Sequence, residues 1–463
     1  MLEALASVLS STSALLWGSP ITIVLLLGTG LYLTVRLGLV QIVAFRSGWR
    51  VLFGRSTGDG EIHPFQALSM ALSGTIGTGN IAGVATAIAL GGPGALFWMW
   101  VTAFFGMATK FAETTLSVRF REVAEDGTVA GGPMFTLLHG LNMKKMAVLF
   151  AAFALIASFG IGNMVQANSV VDGLTFLVPE LRGDERTMGW MALGIGLLMA
   201  ALVALVIIGG VRRIARIAAT IAPIMVVIYM VGAFAVLIAH IDAIPAALAT
   251  IFNLALNPWA AGGGAIGAAI QYGVARGMFS NEAGLGASAI AHAAARNGAA
   301  PREGSVAMLE PFIDTIVVCT LTGLAIVVTG VHLDRPDDVV GAALTASAFS
   351  VTLGQFGAGV VAVGLMLFAF STMLAWSYYG DRSAYFLFGE KAVLPYRLVF
   401  VALIVVGATI PLGMVWDFAD IANILMALPN LVALILLAGL VRKLRADYAA
   451  GRPVPERHDQ SGT

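Results

Sequence analysis

The chain has 463 residues, of which 59% are hydrophobic and 11% are charged, and its mean hydropathy is +0.90. Soluble domains carry about 25% charged residues, so this composition excludes an ordinary soluble protein and indicates a polytopic membrane protein. The 26 basic and 26 acidic residues balance, which argues against nucleic acid and polyanionic partners. The single cysteine, Cys319, excludes an internal disulfide and lacks the companions that a metal site needs.

The first apolar stretch is uncharged from Ala4 to Val35. No basic region precedes it and no small-residue cleavage site follows it, so we expect a retained transmembrane helix rather than a signal peptide. Residues 1–63 are therefore expected to form one extra N-terminal helix and a cytoplasmic linker.

Charge-free runs predict the transmembrane helices, because about 20 apolar residues cross a hydrocarbon core of about 30 Å. The run 62–109 is too long for one helix, and Gly91-Gly92-Pro93-Gly94 divides it into a hairpin. The run 339–380 is divided at 354–359 into a short helix and one full span. The sequence thus predicts an all-α protein with eleven spans, at 14–36, 64–90, 95–120, 146–178, 188–210, 214–240, 262–291, 305–331, 356–387, 396–411 and 413–440.

The basic residues predict the orientation of these spans. Nearly all of them fall in alternate loops and in the tail, whereas the opposite loops hold only Arg182, Arg186 and Arg335. We therefore expect a multi-pass protein of the cell (inner) membrane, with its N-terminus outside and its C-terminus in the cytoplasm. Residues 441–463 are expected to be a disordered cytoplasmic tail.

Ten spans remain after the first one, and they divide into two groups of five, at 64–240 and 241–440. Because five is odd, the two groups must cross the membrane in opposite orientations. This is the inverted-repeat architecture of many secondary transporters, which bind substrate at broken helices near the midplane.

The first span of the first repeat contains a glycine-rich interruption with hydroxyl and amide side chains, at Thr75, Gly77, Thr78, Gly79 and Asn80. Glycine permits non-helical torsions, and the N–H groups freed at a half-helix can receive a carboxylate. The side-chain oxygens of Thr75, Thr78 and Asn80 could face a cation. Close packing of small residues between two helices is the alternative.

The first span of the second repeat contains a similar interruption, with Gly277, Phe279, Ser280 and Asn281. We expect a break near Gly277 whose carbonyls hold a substrate ammonium, with Phe279 as an apolar lid. Arg276 and Glu282 flank this segment, and charged groups at membrane depth are costly unless they are paired or hydrated. Structural pairing is the alternative interpretation, between Arg276 and either Glu282 or Glu310. The sequence leaves open whether Arg276, Glu282, Glu310 and Asp314 are structural or functional.

Further polar insertions occur in two other spans. Ser371 and Thr372 are adjacent hydroxyls, and Trp376 lies one helical turn after Thr372. These hydroxyls could bind a cation while Trp376 and Gln166 line a substrate pocket, although Ser and Thr often bond back to their own helix.

Several charged side chains receive a structural interpretation. Lys110 and Glu113 are expected to extend toward the cytoplasmic interface. His63, His139 and His292 lack the spacing of metal ligands, so they are also expected to be structural.

Many long motifs in this order resemble the alanine or glycine:cation symporter family of the amino acid-polyamine-organocation superfamily, known mainly for sodium:alanine symporters. The resemblance covers nearly the whole chain. The motifs that carry it are Gly77-Thr78-Gly79-Asn80-Ile81-Ala82-Gly83, Gly91-Gly92-Pro93-Gly94, Lys110-Phe111-Ala112-Glu113, Gly131-Gly132-Pro133-Met134, Gly162-Asn163, Gln166-Ala167-Asn168, Phe279-Ser280-Asn281-Glu282-Ala283-Gly284, Asp314-Thr315, Phe370-Ser371-Thr372 and Trp376-Ser377-Tyr378-Tyr379-Gly380. Ser73-Gly74 departs from the family, which usually has two alanines there.

The resemblance implies a leucine-transporter fold of five-plus-five inverted repeats, here preceded by one extra helix. It also implies sodium-coupled import of alanine or glycine, without an obligate protein partner, a cofactor or covalent chemistry. Sodium is then expected between carbonyls near Thr75 to Thr78 and the hydroxyls of Ser371 and Thr372. The amino acid is expected among the substrate-binding residues Thr75, Gly77, Thr78, Gly79, Asn80, Gln166, Gly277, Phe279, Ser280, Asn281, Thr372 and Trp376.

Proton-coupled or uncoupled amino-acid transport on the same fold is the main rival. A basic residue in place of sodium would favour it, but no Lys or Arg lies between Ile217 and Ala239. An ion channel would need repeated filter segments. A membrane enzyme would need a nucleophile and base cluster, and the sequence shows neither.

Overall fold

A computed structural model describes residues 2–56, 58–123, 129–177, 185–256, 264–333, 335–336, 339–410 and 412–454. The described part is nearly all helical, apart from a two-stranded antiparallel hairpin in which Glu122 pairs with Ala130. The helices and strands up to the hairpin are α1 Leu2–Gly18, α2 Pro20–Arg36, α3 Val40–Val43, α4 Phe45–Leu52, α5 Pro64–Thr75, α6 Val84–Gly91, α7 Ala95–Arg119, β1 Glu122–Val123 and β2 Val129–Ala130.

Eight further α-helices of the described chain follow the β-hairpin and extend to residue 293. They are α8 Pro133–Phe135, α9 Lys144–Phe159, α10 Val165–Leu177, α11 Glu185–Ile207, α12 Gly210–Ala239, α13 Ile244–Leu256, α14 Gly264–Asn281 and α15 Ala287–Ala293.

The remaining helices end with the longest in the described part. They are α16 Ala300–Ala307, α17 Leu309–Pro311, α18 Thr320–Thr329, α19 Gly341–Leu353, α20 Gln355–Phe388, α21 Val393–Thr409 and α22 Leu412–Ala449. Short 3₁₀ turns at Ile241–Ala243 and Glu390–Ala392 precede α13 and α21.

Eight helical stretches of the described chain are long and apolar enough to cross a membrane, or nine if the bent pair α1 and α2 forms one span. All eight coincide with predicted spans. The predicted hairpin turn is confirmed, because α6 ends at Gly91 and α7 begins at Ala95. The division of the run 339–380 is confirmed as well, because α19 ends at Leu353 and α20 begins at Gln355.

The first glycine-rich interruption does break its helix. The chain leaves the α-helix after Thr75 and re-enters it through a π-helical turn at Gly79–Gly83. Two similar π-helical segments, Gly160–Met164 and Phe312–Cys319, interrupt the fourth and eighth predicted spans. Such segments disturb the regular hydrogen-bond ladder and often occur at functional sites.

Other expectations need correction. The second break does not lie at Gly277, because α14 is continuous from Gly264 to Asn281. An apolar helix, α13, occupies part of the loop that was expected between residues 240 and 262. The last helix continues to Ala449, so the segment 441–449 is helical rather than a disordered tail. The rest of the tail, at 455–463, lies outside the described residues.

Two buried apolar clusters lie on either side of the first broken helix. One contains Phe150, Met373 and Trp376 and joins α7, α9, α20 and α22. The other contains Ile81 and Tyr229 and joins α6, α12, α18 and α19. The first broken helix runs between the clusters, because α5 packs against α12, α15 and α20, whereas α6 packs against α14, α18 and α19.

Candidate functional site

The backbone at the first break is capped by side chains. The N–H of Gly77 donates to Asn80 Oδ1 at 2.9 Å, and the N–H of Thr78 donates to Gln166 Oε1 at 3.4 Å. Gln166 is held by its own amide, which donates to the carbonyl of Ile161 at 2.9 Å. The amides freed by the break therefore face acceptor oxygens, as they would face a carboxylate.

Glycine at the break allows two other helices to approach closely. A Cβ on Gly77 would lie 2.7 Å from Thr372 Oγ1, and a Cβ on Gly79 would lie 3.1 Å from the Cα of Ser280 and 3.3 Å from Phe279 Cδ1. The break thus brings α14 and α20 together at one point, and with them most of the predicted site residues.

The hydroxyls of α20 point at the end of α5. Thr372 Oγ1 donates to the carbonyl of Ser73 at 2.9 Å. Ser371 Oγ donates to the carbonyl of Phe368, within its own helix, at 2.9 Å, and lies 3.5 Å from the Ser73 oxygen and 3.2 Å from the sulfur of Met225. The side chain of Thr75 instead donates back to the carbonyl of Ala71 at 3.2 Å. Three oxygens from two helices therefore converge at the break.

Two buried hydroxyls beside this point, Ser73 Oγ and Thr78 Oγ1, have no hydrogen-bond partner among the described residues. Burying a hydroxyl without a partner costs about 1–3 kcal/mol. The end of α5 therefore has unused polar capacity that a bound ion or a water molecule could satisfy.

A buried carboxylate lies on the other side of the first break. Asp314 Oδ1 accepts from Asn80 Nδ2 at 2.6 Å, and Asp314 Oδ2 accepts from Ser280 Oγ at 2.8 Å and from Thr315 Oγ1 at 2.6 Å. Asn281 Nδ2 in turn donates to Thr315 Oγ1 at 3.3 Å. These contacts fix Asn80 so that its oxygen faces the break. The sequence showed an acid inside an apolar span, but it gave no indication of these partners.

The second break lies at 282–286, five residues after the predicted position. Glu282, Gly284 and Gly286 have φ angles of 53°, 96° and 80°, all in the left-handed region. Gly277 instead serves packing, because a Cβ there would lie 2.3 Å from Thr102 Oγ1 on α7. The sequence predicted a break in this span but placed it five residues too early, because the glycines that follow Glu282 determine where the helix ends.

Trp376 is fully buried and fixed by its polar end. Its Nε1 donates to Glu282 Oε1 at 2.8 Å, and its ring meets Tyr379 edge-on at 5.4 Å between centroids. A Cβ on Gly162 would lie 2.2 Å from the Cβ of Trp376, so glycine is required there for the close approach. Glu282 thus lies in the second break and also holds Trp376, which was predicted to line the substrate pocket.

An ion pair and two stacked rings join α14 to α22. Arg276 Nη2 lies 2.7 Å from Asp420 Oδ2, and the rings of Phe279 and Trp416 stack at 4.6 Å. The guanidinium carbon of Arg276 lies 4.8 Å from the Trp416 ring centroid. Arg276 therefore pairs with Asp420, and the expected pairing with Glu282 or Glu310 is wrong.

A partly enclosed cavity of about 210 Å³, here called the vestibule, lies beside these side chains. Arg276, Trp416 and Asp420 form part of its lining, together with Asp172 and Asp417. Ala82, in the π-helical turn that follows the first break, also lines the vestibule.

The expectation that Lys110 and Glu113 reach toward an interface is also wrong, because they are 0% and 1% exposed. Lys110 Nζ lies 2.9 Å from Glu310 Oε2. Glu113 Oε1 accepts from the N–H of Gly284 at 2.8 Å and from Asn430 Nδ2 at 2.7 Å. Glu113 therefore stabilises the second break.

The three histidines occupy different environments. His63 caps α5, with Nδ1 accepting from the N–H of Phe65 at 3.1 Å. His139 pairs with Glu122 at 2.7 Å, whereas His292 lies between two buried carboxylates. Within the described ranges, no group of three His, Cys, Asp or Glu residues has an arrangement suited to a metal ion.

Comparison with solved structures supports the fold. The chain resembles MhsT, whose crystal structure contains L-phenylalanine, with a TM-score of 0.57 at 14% identity over 83% of this chain and 90% of MhsT. MhsT has the leucine-transporter fold. At this identity the likeness concerns the fold alone.

Comparison of sequences identifies the family. The profile of the sodium:alanine symporter family matches residues 2–460. The sodium/alanine symporter AgcS of Methanococcus maripaludis is 46% identical over 444 residues, which are 94% of this chain and 95% of AgcS. The probable sodium/glutamine symporter GlnT of Bacillus subtilis is 37% identical over 97% of this chain and 91% of GlnT. The chain therefore belongs to the sodium:alanine symporter family and is a multi-pass membrane transporter, not an enzyme.

Proposed function

We propose that this protein imports a small neutral amino acid, alanine or glycine, together with sodium ions. The observation that carries the proposal is the convergence of Ser371 and Thr372 on the carbonyl of Ser73, directly before a helix break with unpartnered hydroxyls. Hard cations such as sodium prefer carbonyl and hydroxyl oxygens. Membership of the family and the name of AgcS point to the same function.

The proposed architecture has eleven membrane spans. Nine apolar stretches of the described chain, counting the bent N-terminal pair as one, are supplemented by two broken helices that are too short or too polar to qualify by composition. The spans after the first form two inverted repeats, at 64–240 and 241–440. The N-terminus lies outside and the C-terminus in the cytoplasm, in agreement with the distribution of basic loops.

The amino acid carboxylate binds the amides of the first break. In the described arrangement Asn80 and Gln166 accept from the N–H groups of Gly77 and Thr78. The substrate carboxylate takes over these donors, because a charged acceptor forms stronger hydrogen bonds than a neutral amide oxygen.

The ammonium group lies at the end of α14. The last turn of a helix leaves C=O groups without intrahelical partners, and α14 ends at Asn281. The ammonium therefore binds carbonyls of the segment 279–281 rather than that of Gly277. Phe279 and Trp376 limit the space for the substrate side chain, which favours alanine and glycine over leucine.

Sodium binds where α5 meets α20. The carbonyl of Ser73 and the hydroxyls of Ser371 and Thr372 supply oxygens to the ion. Thr75 and Thr78 follow Ser73 closely in the chain and lie near the same point. Closure of the helices around both ligands and rocking of one bundle against the other give alternating access. The membrane potential assists, because each cation that moves inward gains about 2.3 kcal/mol per 100 mV.

Proton-coupled or uncoupled transport is the alternative, and Met225 argues against it. This residue of α12 contacts Ser371 through its sulfur at 3.2 Å. A lysine from α12 could replace a bound cation at this point, whereas a thioether carries no charge. At this point α12 therefore brings no cationic side chain that would compete with sodium.

The decisive experiment measures radiolabelled alanine uptake into proteoliposomes with and without an inward sodium gradient. We expect uptake to require sodium and to be inhibited by unlabelled glycine and alanine more strongly than by leucine or glutamine. Undiminished uptake after replacement of sodium by choline would contradict sodium coupling. Equal inhibition by leucine or glutamine would contradict a small pocket bounded by Phe279 and Trp376.

A further inference from the structure

A connected set of charged and polar side chains is buried beside α15, apart from the proposed ligand site. It joins α7, α15, α16 and α17 across three different stretches of the chain. Each of its members is 0% exposed, and they are Lys110, Ser288, His292, Asn297, Glu303 and Glu310.

Both ring nitrogens of His292 face carboxylate oxygens. Nδ1 lies 2.6 Å from Glu303 Oε1, and Nε2 lies 2.6 Å from Glu310 Oε1. An ionised carboxylate can only accept hydrogen bonds, and a neutral imidazole has a single N–H. With both carboxylates ionised, a neutral ring would place two acceptors against each other at one of these contacts, so this arrangement favours a proton on each nitrogen.

Charge balance leads to the same conclusion. The second oxygen of Glu310 lies 2.9 Å from Lys110 Nζ, and the second oxygen of Glu303 accepts from Asn297 Nδ2 at 2.5 Å. With a protonated His292 the cluster contains two positive and two negative charges. Loss of one proton would leave a net negative charge in a site without solvent, which is strongly unfavourable.

Among the described residues, the hydrogen bonds and ion pairs of the His292 ring involve Glu303 and Glu310. Of the elements packed against α15, α5 and β2 contain no charged residue or histidine. The remaining ionisable groups on the neighbouring elements and segments are Asp59, Glu61, His63, Glu113, Arg119, Arg121, Glu282, Arg296, Arg302, Tyr378, Tyr379, Asp381, Arg382 and Tyr385.

The cluster lies next to a group of backbone contacts at one end of the helix bundle. Arg121 donates to the carbonyls of Ala293 and Ala295 at 2.8 and 2.7 Å, and Ile62 pairs with Ala295 in a β-bridge. The end of α15 is thus joined to the segment before the first broken helix.

We propose that Glu303, His292 and Glu310 form a buried proton-binding site whose proton holds α15 against α16 and α17 and so keeps this end of the transporter closed. Alternating access must at some stage open each end of the bundle. Removal of the proton at high pH leaves two carboxylates around a neutral ring, and this weakens the closed arrangement.

The substitution Glu303→Gln keeps the packing and the hydrogen bonds of the cluster but removes the need for a second proton on His292. A glutamine amide can donate to His292 Nδ1, while its oxygen accepts from Asn297 Nδ2 and the N–H at Nε2 still donates to Glu310. Every hydrogen bond is then satisfied with a neutral imidazole. His139→Asn is the matched control, because it removes a histidine–carboxylate pair elsewhere in the chain.

The direct test is ¹⁵N NMR of histidine-labelled protein in lipid nanodiscs at about pH 8, above the ordinary imidazole pKa of about 6.5. His292→Asn assigns the signals. We expect two protonated ring nitrogens for His292 in the wild type and in His139→Asn, and one in Glu303→Gln. An unprotonated nitrogen in the wild type, or two protonated nitrogens in Glu303→Gln, would overturn the proposal.

Hydrogen–deuterium exchange tests the effect on closure. After correction for the intrinsic pH dependence, amides of residues 287–297 should lose protection in the wild type between pH 7 and pH 9. Glu303→Gln should show the same protection at both values. Constant protection in the wild type, or an equal loss in both proteins, would refute a closing role for the proton. Neither readout measures amino-acid transport, so these results do not depend on the proposed substrate or coupling ion.

Discussion

The hydroxyl of Thr372 offers the sharpest test of the proposed sodium site. Thr372→Val keeps the shape of the side chain but removes the group that donates to the carbonyl of Ser73 at 2.9 Å. Ser371 Oγ lies 3.5 Å from this carbonyl, but it donates to the carbonyl of Phe368 at 2.9 Å. Leaving a buried polar group without its partner costs about 1–3 kcal/mol. If this cost falls on the sodium-bound state, the sodium concentration for half-maximal uptake rises about 5- to 150-fold.

The assay measures initial rates of alanine uptake in proteoliposomes over a series of sodium concentrations. Ser377→Ala is the control, because that hydroxyl is buried on the same helix but donates to the carbonyl of Leu374, within its own helix, at 2.7 Å. We expect Ser377→Ala to keep the sodium dependence of the wild type. A normal sodium requirement in Thr372→Val, in a variant as stable as the control, would remove Thr372 from the ion site.

Two further substitutions test the corrected parts of the site. Gly277→Ala places a Cβ 2.3 Å from Thr102 Oγ1. This overpacking should lower the free energy of unfolding in SDS by about 1–3 kcal/mol. Adding Thr102→Ala should restore the stability. Gly267→Ala, which meets open space, is the control, and a stable but inactive Gly277→Ala would instead support a role in substrate binding. Arg276→Gln should cost about 3 kcal/mol by leaving Asp420 buried without its cation. Adding Asp420→Asn should recover part of that loss, and purely additive effects would show that the pair is uncoupled.

The two helix breaks show how much of the structure the local sequence could predict. At the first break, consecutive small and polar residues from Gly77 to Asn80 interrupt an apolar run, so the break and its place in the chain could be predicted. At the second, the same reasoning chose Gly277, but that glycine lies against α7. Only the packing of a distant helix reveals that Gly277 provides space and that Gly284 and Gly286 provide the left-handed torsions.

Hydropathy also determined the class of the protein. The length and composition of apolar runs depend on the thickness of the membrane and not on the arrangement of the helices, so eight spans were located correctly from the sequence. The motifs around Asn80, Gln166 and Thr372 indicated a transporter and the family to which the chain belongs.

The partners of the charged residues were decided by the tertiary structure. Arg276 and Asp420 are 144 positions apart, and Lys110 and Glu310 lie on α7 and α17. Pairing of such residues depends on which helix faces meet, and a single sequence does not record this. The sequence could therefore establish that buried charges need partners, whereas only the fold showed that His292 lies between two carboxylates and that Glu282 supports Trp376.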